Sequence, residues 1–131
     1  DECFFMDQTG FIFAPAANFS DGVYLIYKSE PANLDPVGTA FMPQPEFDHL
    51  NGFINGLSRL YFMTSKLTKT EDKYLIQTKD YIEIKWKSNQ DMDSVLLDIE
   101  AFVKTITPAR AKKLLYVDMS IENRIGYQFR D

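Results

Sequence analysis

One segment of the chain, residues 81–87, alternates strictly between polar and apolar side chains. The polar set is Tyr81, Glu83, Lys85 and Lys87, and the apolar set is Ile82, Ile84 and Trp86. Because successive side chains of a strand point to opposite faces, the pattern predicts a strand with one dry and one wet face. Such strands belong to antiparallel sheets that are covered on one side only.

Two other segments carry apolar residues at spacings of three and four, which predicts amphipathic helices that cover the dry face. The first helix is expected to begin near Pro45, and Asp91 or Asp93 is expected to cap the second. The two apolar stripes are Phe47, Leu50, Phe53, Ile54, Leu57 and Leu60, and then Val95, Leu96, Ile99, Phe102, Val103 and Ile106.

The remaining segments supply strands and connections. Expected strands are a hairpin over residues 2–14 that Pro15 ends, single strands at 23–27, 65–70 and 74–77, and a closing hairpin of 115–121 and 125–129. A turn is expected at 18–22, a Pro-rich loop without regular structure at 29–45, and a short helical turn at 109–114. The fold class predicted is α+β, a mostly antiparallel sheet with two main helices packed on it, as a single domain over 1–131.

Charge and cysteine content narrow the classes of function. The formal net charge is −5, which argues against nucleic-acid binding, because binders usually carry a basic patch. The single cysteine, Cys3, permits no intrachain disulfide and is interpreted as a small buried hydrophobic residue.

The chain shows no recognisable catalytic or metal-binding motif. With one histidine and one cysteine, a zinc site would have to depend on carboxylates, so neither a metal nor a cofactor is expected. His49 is interpreted as an exposed or half-buried helix residue. Asp91, Asp93 and Asp98 are interpreted as a helix cap and a solvated face rather than a calcium cluster. The protein is therefore predicted not to be an enzyme.

The end of the chain is its most distinctive part. Residues 116–120, the turn at Asn123-Arg124 and residues 125–130 resemble the end of the extracytoplasmic β-domain of the bacterial cell-division protein FtsQ/DivIB. Residues 4–13 resemble the first hairpin of that domain, and the order of elements is similar over most of the chain. Met119-Ser120 stands where the family usually has Leu-Arg.

This resemblance implies a scaffold at the periplasmic or extracytoplasmic face of the membrane. Full-length members carry a membrane helix and a POTRA domain before the β-domain, so the native protein is expected to be anchored to the inner membrane. The implied partners are small division proteins like FtsB and FtsL, which add a strand beside the C-terminal edge of the sheet. The implied partner-binding residues are Tyr116, Asp118, Ser120, Ile125, Tyr127 and Phe129.

Two alternatives remain open from the sequence. Tyr127 and Phe129, the implied anchors, are as compatible with packing on the protein's own helices as with binding a partner. A different class of function is a ligand- or peptide-binding domain that uses the Pro-rich loop 29–45 with Tyr27 and Phe41, and a deep apolar pocket beside the loop would favour it.

Overall fold

The computed structural model describes residues 2–17 and 24–130. The described part forms eight strands and three helices, an α+β fold as predicted. The strands are β1 (Cys3–Met6), β2 (Ile12–Ala16), β3 (Ile26–Ser29), β4 (Thr64–Lys69), β5 (Lys73–Thr78), β6 (Glu83–Lys87), β7 (Leu114–Asp118) and β8 (Gly126–Phe129). The helices are α1 (Gln44–Arg59), α2 (Met92–Val103) and α3 (Pro108–Ala111).

The main sheet has six strands in the order β3-β4-β5-β6-β7-β8. Neighbouring strands are antiparallel except for two pairs, β3 with β4 and β6 with β7, which are parallel. Parallel neighbours need a long crossover, and α1 lies within the first connection whereas α2 and α3 lie within the second. The sheet therefore begins at β3 and ends at β8.

The dry face of the sheet carries the core. Ile82, Ile84 and Trp86 are at most 2% exposed, as the alternation predicts. The ring of Trp86 lies 4.4 Å from that of Phe53 on α1 and 5.1 Å from that of Tyr74 on β5. Both α1 and α2 contribute buried residues to this one core, so the two helices cover the same face.

The two covering helices touch each other at a glycine. A Cβ atom added to Gly56 of α1 would lie 2.3 Å from Cδ2 of Leu96 on α2, so no larger residue fits without displacing that side chain. Gly52, one turn earlier on α1, has no neighbouring atom within 4 Å of such a Cβ. Only the second glycine of the pair is thus explained by close approach.

The β1–β2 hairpin forms a separate two-stranded sheet. Its turn is stabilised by the Asp7 carboxylate, which accepts hydrogen bonds from the backbone N–H groups of Thr9 (2.8 Å) and Phe11 (3.1 Å) and from the Thr9 hydroxyl (2.6 Å). The Thr9 hydroxyl bond and these backbone bonds lower the pKa of Asp7. Gly10 has a φ of +89° and packs against the Phe47 ring, so the turn also joins the hairpin to α1.

Several predicted boundaries were wrong. Pro15 does not end the first hairpin but lies within β2 opposite Phe4, because only one side of that strand is paired. Tyr81 is not part of β6 and lies instead in the preceding turn with a φ of +63°. Cys3 is half-buried in β1 rather than fully buried.

The third strand is shifted from its expected position. It occupies Ile26–Ser29 instead of 23–27, and it pairs in parallel with β4. The turn expected at 18–22 and the residue Val23 lie outside the described residues. No helix in the described ranges combines the length and hydrophobicity that are needed to span a bilayer.

The two glycines of α1 give a matched test of this packing. Gly52→Ala is expected to raise the free energy of unfolding by about 0.5–1 kcal/mol, because alanine favours the helix and meets no neighbour. Gly56→Ala is expected to lower it by about 1 kcal/mol, because Leu96 must move. Urea unfolding of both variants measures the difference, and equal stabilisation by both would show that α1 and α2 do not pack this closely.

Candidate functional site

The candidate site is the outer edge of β8, the last strand of the main sheet. One side of β8 pairs with β7 in antiparallel register, for example Val117 with Tyr127. Within the described part of the chain, no strand pairs with its other side. An edge of this kind exposes a row of unpaired backbone donors and acceptors.

A hydrogen bond beyond the strand identifies which backbone groups face outward. The N–H of Arg130 donates to the Lys113 carbonyl at 2.6 Å and so points toward the β7 side. Alternate residues of a strand direct their backbone groups to opposite sides, so those of Gln128 and Gly126 also point toward β7. The N–H and C=O groups of Tyr127 and Phe129 are therefore the ones at the open edge.

The two edges of the main sheet differ in how well they suit an added strand. The β3 edge carries Lys28, whose ammonium lies 3.5 Å from the Glu30 carboxylate, and Pro31 follows directly. Charges and prolines are features that protect edges from pairing with another chain. The β8 segment, Gly-Tyr-Gln-Phe, contains neither, and the charged Arg130 that follows it is bonded to the turn before β6, so β8 is the more receptive edge.

The aromatic side chains of β8 pack partly on the helical layer. The Tyr127 ring lies 4.9 Å from the Phe102 ring of α2 and 5.6 Å from the Phe129 ring. The guanidinium carbon of Arg110 on α3 lies 3.9 Å from the centre of the Phe129 ring. Tyr127 nevertheless remains 50% exposed. One face of the Tyr127 ring thus packs on the protein's own helix and the rest meets solvent, while binding of a partner by this residue stays a prediction.

The other four implied binding residues occupy different positions. Tyr116 lies on the uncovered face of the sheet, where the Lys85 ammonium is 5.9 Å from its ring centre. Asp118 accepts a hydrogen bond from the Ser120 N–H at 2.9 Å, so these two residues shape the hairpin turn and do not face the open edge. Ile125 precedes β8 and packs against the core.

Arg130, directly after β8, reaches across β7 to the turn that precedes β6. Its guanidinium donates to the backbone carbonyls of Asp80 at 3.2 Å and Tyr81 at 2.6 Å, in the turn before β6. Because both acceptors are backbone atoms, the contact fixes the position of the strand end. The end of β8 is thereby tied to the turn before β6.

Phe102 and Arg110 belong to the candidate site, although the sequence pattern did not indicate either residue. Phe102 was assigned to the buried stripe of the second helix, yet it is only half-buried and provides the surface on which Tyr127 rests. Arg110 lies in a short helix whose position relative to β8 depends on the crossover between β6 and β7. The one sequence signal for Phe102 is its position near the end of the helical stripe, where a residue has fewer core neighbours.

The residues of the alternative ligand site are largely committed to the core. The Tyr27 hydroxyl donates to the Asn51 side chain at 2.5 Å, and the Tyr27 ring lies 5.7 Å from that of Phe41. Burial raises the pKa of Tyr27. A pocket of about 340 Å³ lies at the other end of β3, β4 and β5, lined by Ile26, Ser65, Lys66, Gln77, Thr78, Lys79 and Tyr81, and none of these belongs to the Pro-rich loop.

Comparison with known proteins assigns no family. No protein-family model matches the chain, and no curated protein matches it with significant similarity.

The edge geometry predicts an alternating pattern of hydrogen exchange in the free protein. The amide hydrogens of Tyr127 and Phe129 should exchange with solvent at least about tenfold faster than those of Gln128 and Arg130, because only the latter pair bonds across to the β7 side. Nuclear magnetic resonance after transfer of the protein into deuterated water measures the exchange rate of each amide hydrogen. Equal protection of all four amides would mean that the outer edge is already paired.

Proposed function

We propose that this chain is a non-catalytic protein-binding domain that captures an extended segment of a partner as an additional strand beside β8. The observation that carries the proposal is the combination of an uncharged edge with outward backbone groups at Tyr127 and Phe129. Main-chain hydrogen bonds give such a complex its affinity, and pockets for alternate side chains give it specificity.

The open edge offers a small number of main-chain hydrogen bonds to a partner strand. Two residues with outward N–H and C=O groups offer four hydrogen bonds, each worth a net ~0.5–1.5 kcal/mol. Aromatic contacts with Tyr127 add to this, since tyrosine is enriched among residues that dominate interfaces. Every second side chain of the added strand would lie beside the Tyr127–Phe102 surface, so the partner is expected to carry apolar residues at alternate positions.

The biological setting follows from the resemblance of residues 4–13 and 116–130 to the β-domain of FtsQ/DivIB. We propose a scaffold of the bacterial cell-division machinery at the extracytoplasmic face of the membrane, which recruits FtsB/FtsL-like proteins. The receptive edge is formed by the same closing hairpin that carries the resemblance. The open edge of β8 and the sequence resemblance thus both support the closing hairpin as the proposed binding surface.

The direct test is the change in amide protection on adding the FtsB-like and FtsL-like proteins of the same organism. Strand addition predicts that the Tyr127 and Phe129 amides become protected, while those of Gln128 and Arg130, already bonded, change little. This alternation distinguishes strand addition from side-chain docking on the same surface. Tight binding without new protection at Tyr127 and Phe129 would contradict the mechanism, and no binding by either protein would contradict the partner class.

Substitution of the half-exposed tyrosine separates binding from folding. Tyr127→Ala is expected to weaken partner binding by at least about tenfold, because it removes the aromatic anchor. The free energy of unfolding should fall by only about 1 kcal/mol, because the ring is 50% exposed although it loses its contacts with Phe102 and Phe129.

A matched control is Tyr61→Ala. Tyr61 is 82% exposed and lies beyond the end of α1, before β4, so its removal should change neither binding nor stability. Calorimetric titration gives the affinities, and urea unfolding gives the stabilities. If Tyr127→Ala lost stability in proportion to binding, Tyr127 would be a core residue and not a contact residue.

A further inference from the structure

The fold brings His49 next to Asp91 and Asp93, two potential metal ligands from a distant segment of the sequence. His49 lies on α1, Asp91 immediately precedes α2, and Asp93 lies in the first turn of α2. One ligand atom from each of the three falls within 4.8 Å of the other two, and His49 Nε2 lies 3.0 Å from an Asp93 carboxylate oxygen. All three side chains are exposed, so an ion reaches them without any opening of the protein.

The two carboxylates have hydrogen-bond partners close to the cluster, Asp93 with His49 and Asp91 with Ser94. Asp91 occupies the N-cap position of α2, but its side chain makes no capping bond to the helix backbone and accepts instead from the Ser94 hydroxyl at 2.8 Å. Among residues 2–17 and 24–130, no lysine or arginine lies within ion-pair distance of Asp91 or Asp93. The imidazole of His49 thus supplies a nitrogen ligand beside two carboxylates that have no lysine or arginine partner.

We propose that His49, Asp91 and Asp93 form a binding site for a divalent transition-metal ion of the zinc class. Zinc binds imidazole nitrogen and carboxylate oxygen at about 2.0–2.2 Å, which places two ligands of a tetrahedral site roughly 3.3 Å apart. His49 Nε2 and the Asp93 oxygen form a hydrogen bond at 3.0 Å, a separation close to that spacing. Water would complete the coordination.

The donor set also indicates which ions the site prefers. Magnesium and calcium take oxygen ligands, whereas an imidazole nitrogen favours zinc and its transition-metal neighbours. A bound ion would connect α1 directly to the start of α2, in addition to the contact of Gly56 with Leu96. Because such an ion binds the folded chain, it would also stabilise the fold.

The test uses zinc chloride alone with the whole chain, in a Cys3→Ser background that removes the one thiol. Calorimetry is expected to show one zinc ion bound per chain, with no heat from magnesium or calcium at the same concentration. His49→Gln should weaken zinc binding at least about tenfold, because one of three ligands is lost. Asp98→Asn, which changes an exposed carboxylate of α2 outside the cluster, should leave the affinity unchanged.

The nuclear magnetic resonance signals of the single histidine give an independent measure of zinc binding. Zinc should shift the one imidazole resonance pair together with the amides of residues 91–93. Failure to saturate at one ion per chain, equal affinity in His49→Gln, or an unshifted imidazole would each overturn the proposal. Circular dichroism of each variant checks that the fold is retained.

Discussion

The structure depends on the burial of one face of β6. Trp86 fits between Phe53 of α1 and Tyr74 of β5, and Ile84 lies beside it in the same core. A central strand whose inner face is dry requires neighbours on both sides and a covering layer above. The two helices and the flanking strands are arranged around this requirement.

Local pattern was sufficient for much of this arrangement. The alternation over residues 81–87 and the stripe of the first helix predicted most of the buried residues there, because burial follows the period of each element. In the stripe of the second helix only Val95 and Ile99 are buried, and the other residues are half-buried. The parallel pairing of β6 with β7 was not predictable in the same way, since it depends on the route of the crossover through α2 and α3. The same limit applies to Arg110 and to the meeting of His49 with Asp93, which come from distant segments.

The residues around the β8 edge are held in place by contacts within the protein. Phe102 and Arg110 hold the rings of Tyr127 and Phe129 at fixed positions, and Arg130 holds the end of the strand. Fixed side chains lose little conformational freedom when a partner binds, which reduces the entropic cost of association. The partial packing of Tyr127 is therefore compatible with a role in binding.

The unequal edges of the main sheet also limit how an assembly can grow. A sheet that accepts strands at both ends can join copies of itself without a stopping point, as fibres do. Here the ion pair of Lys28 with Glu30 and the following Pro31 disfavour strand addition at the β3 edge. A sheet that accepts a strand only at β8 cannot join copies of itself end to end through β3, so the unequal edges oppose open-ended polymerisation.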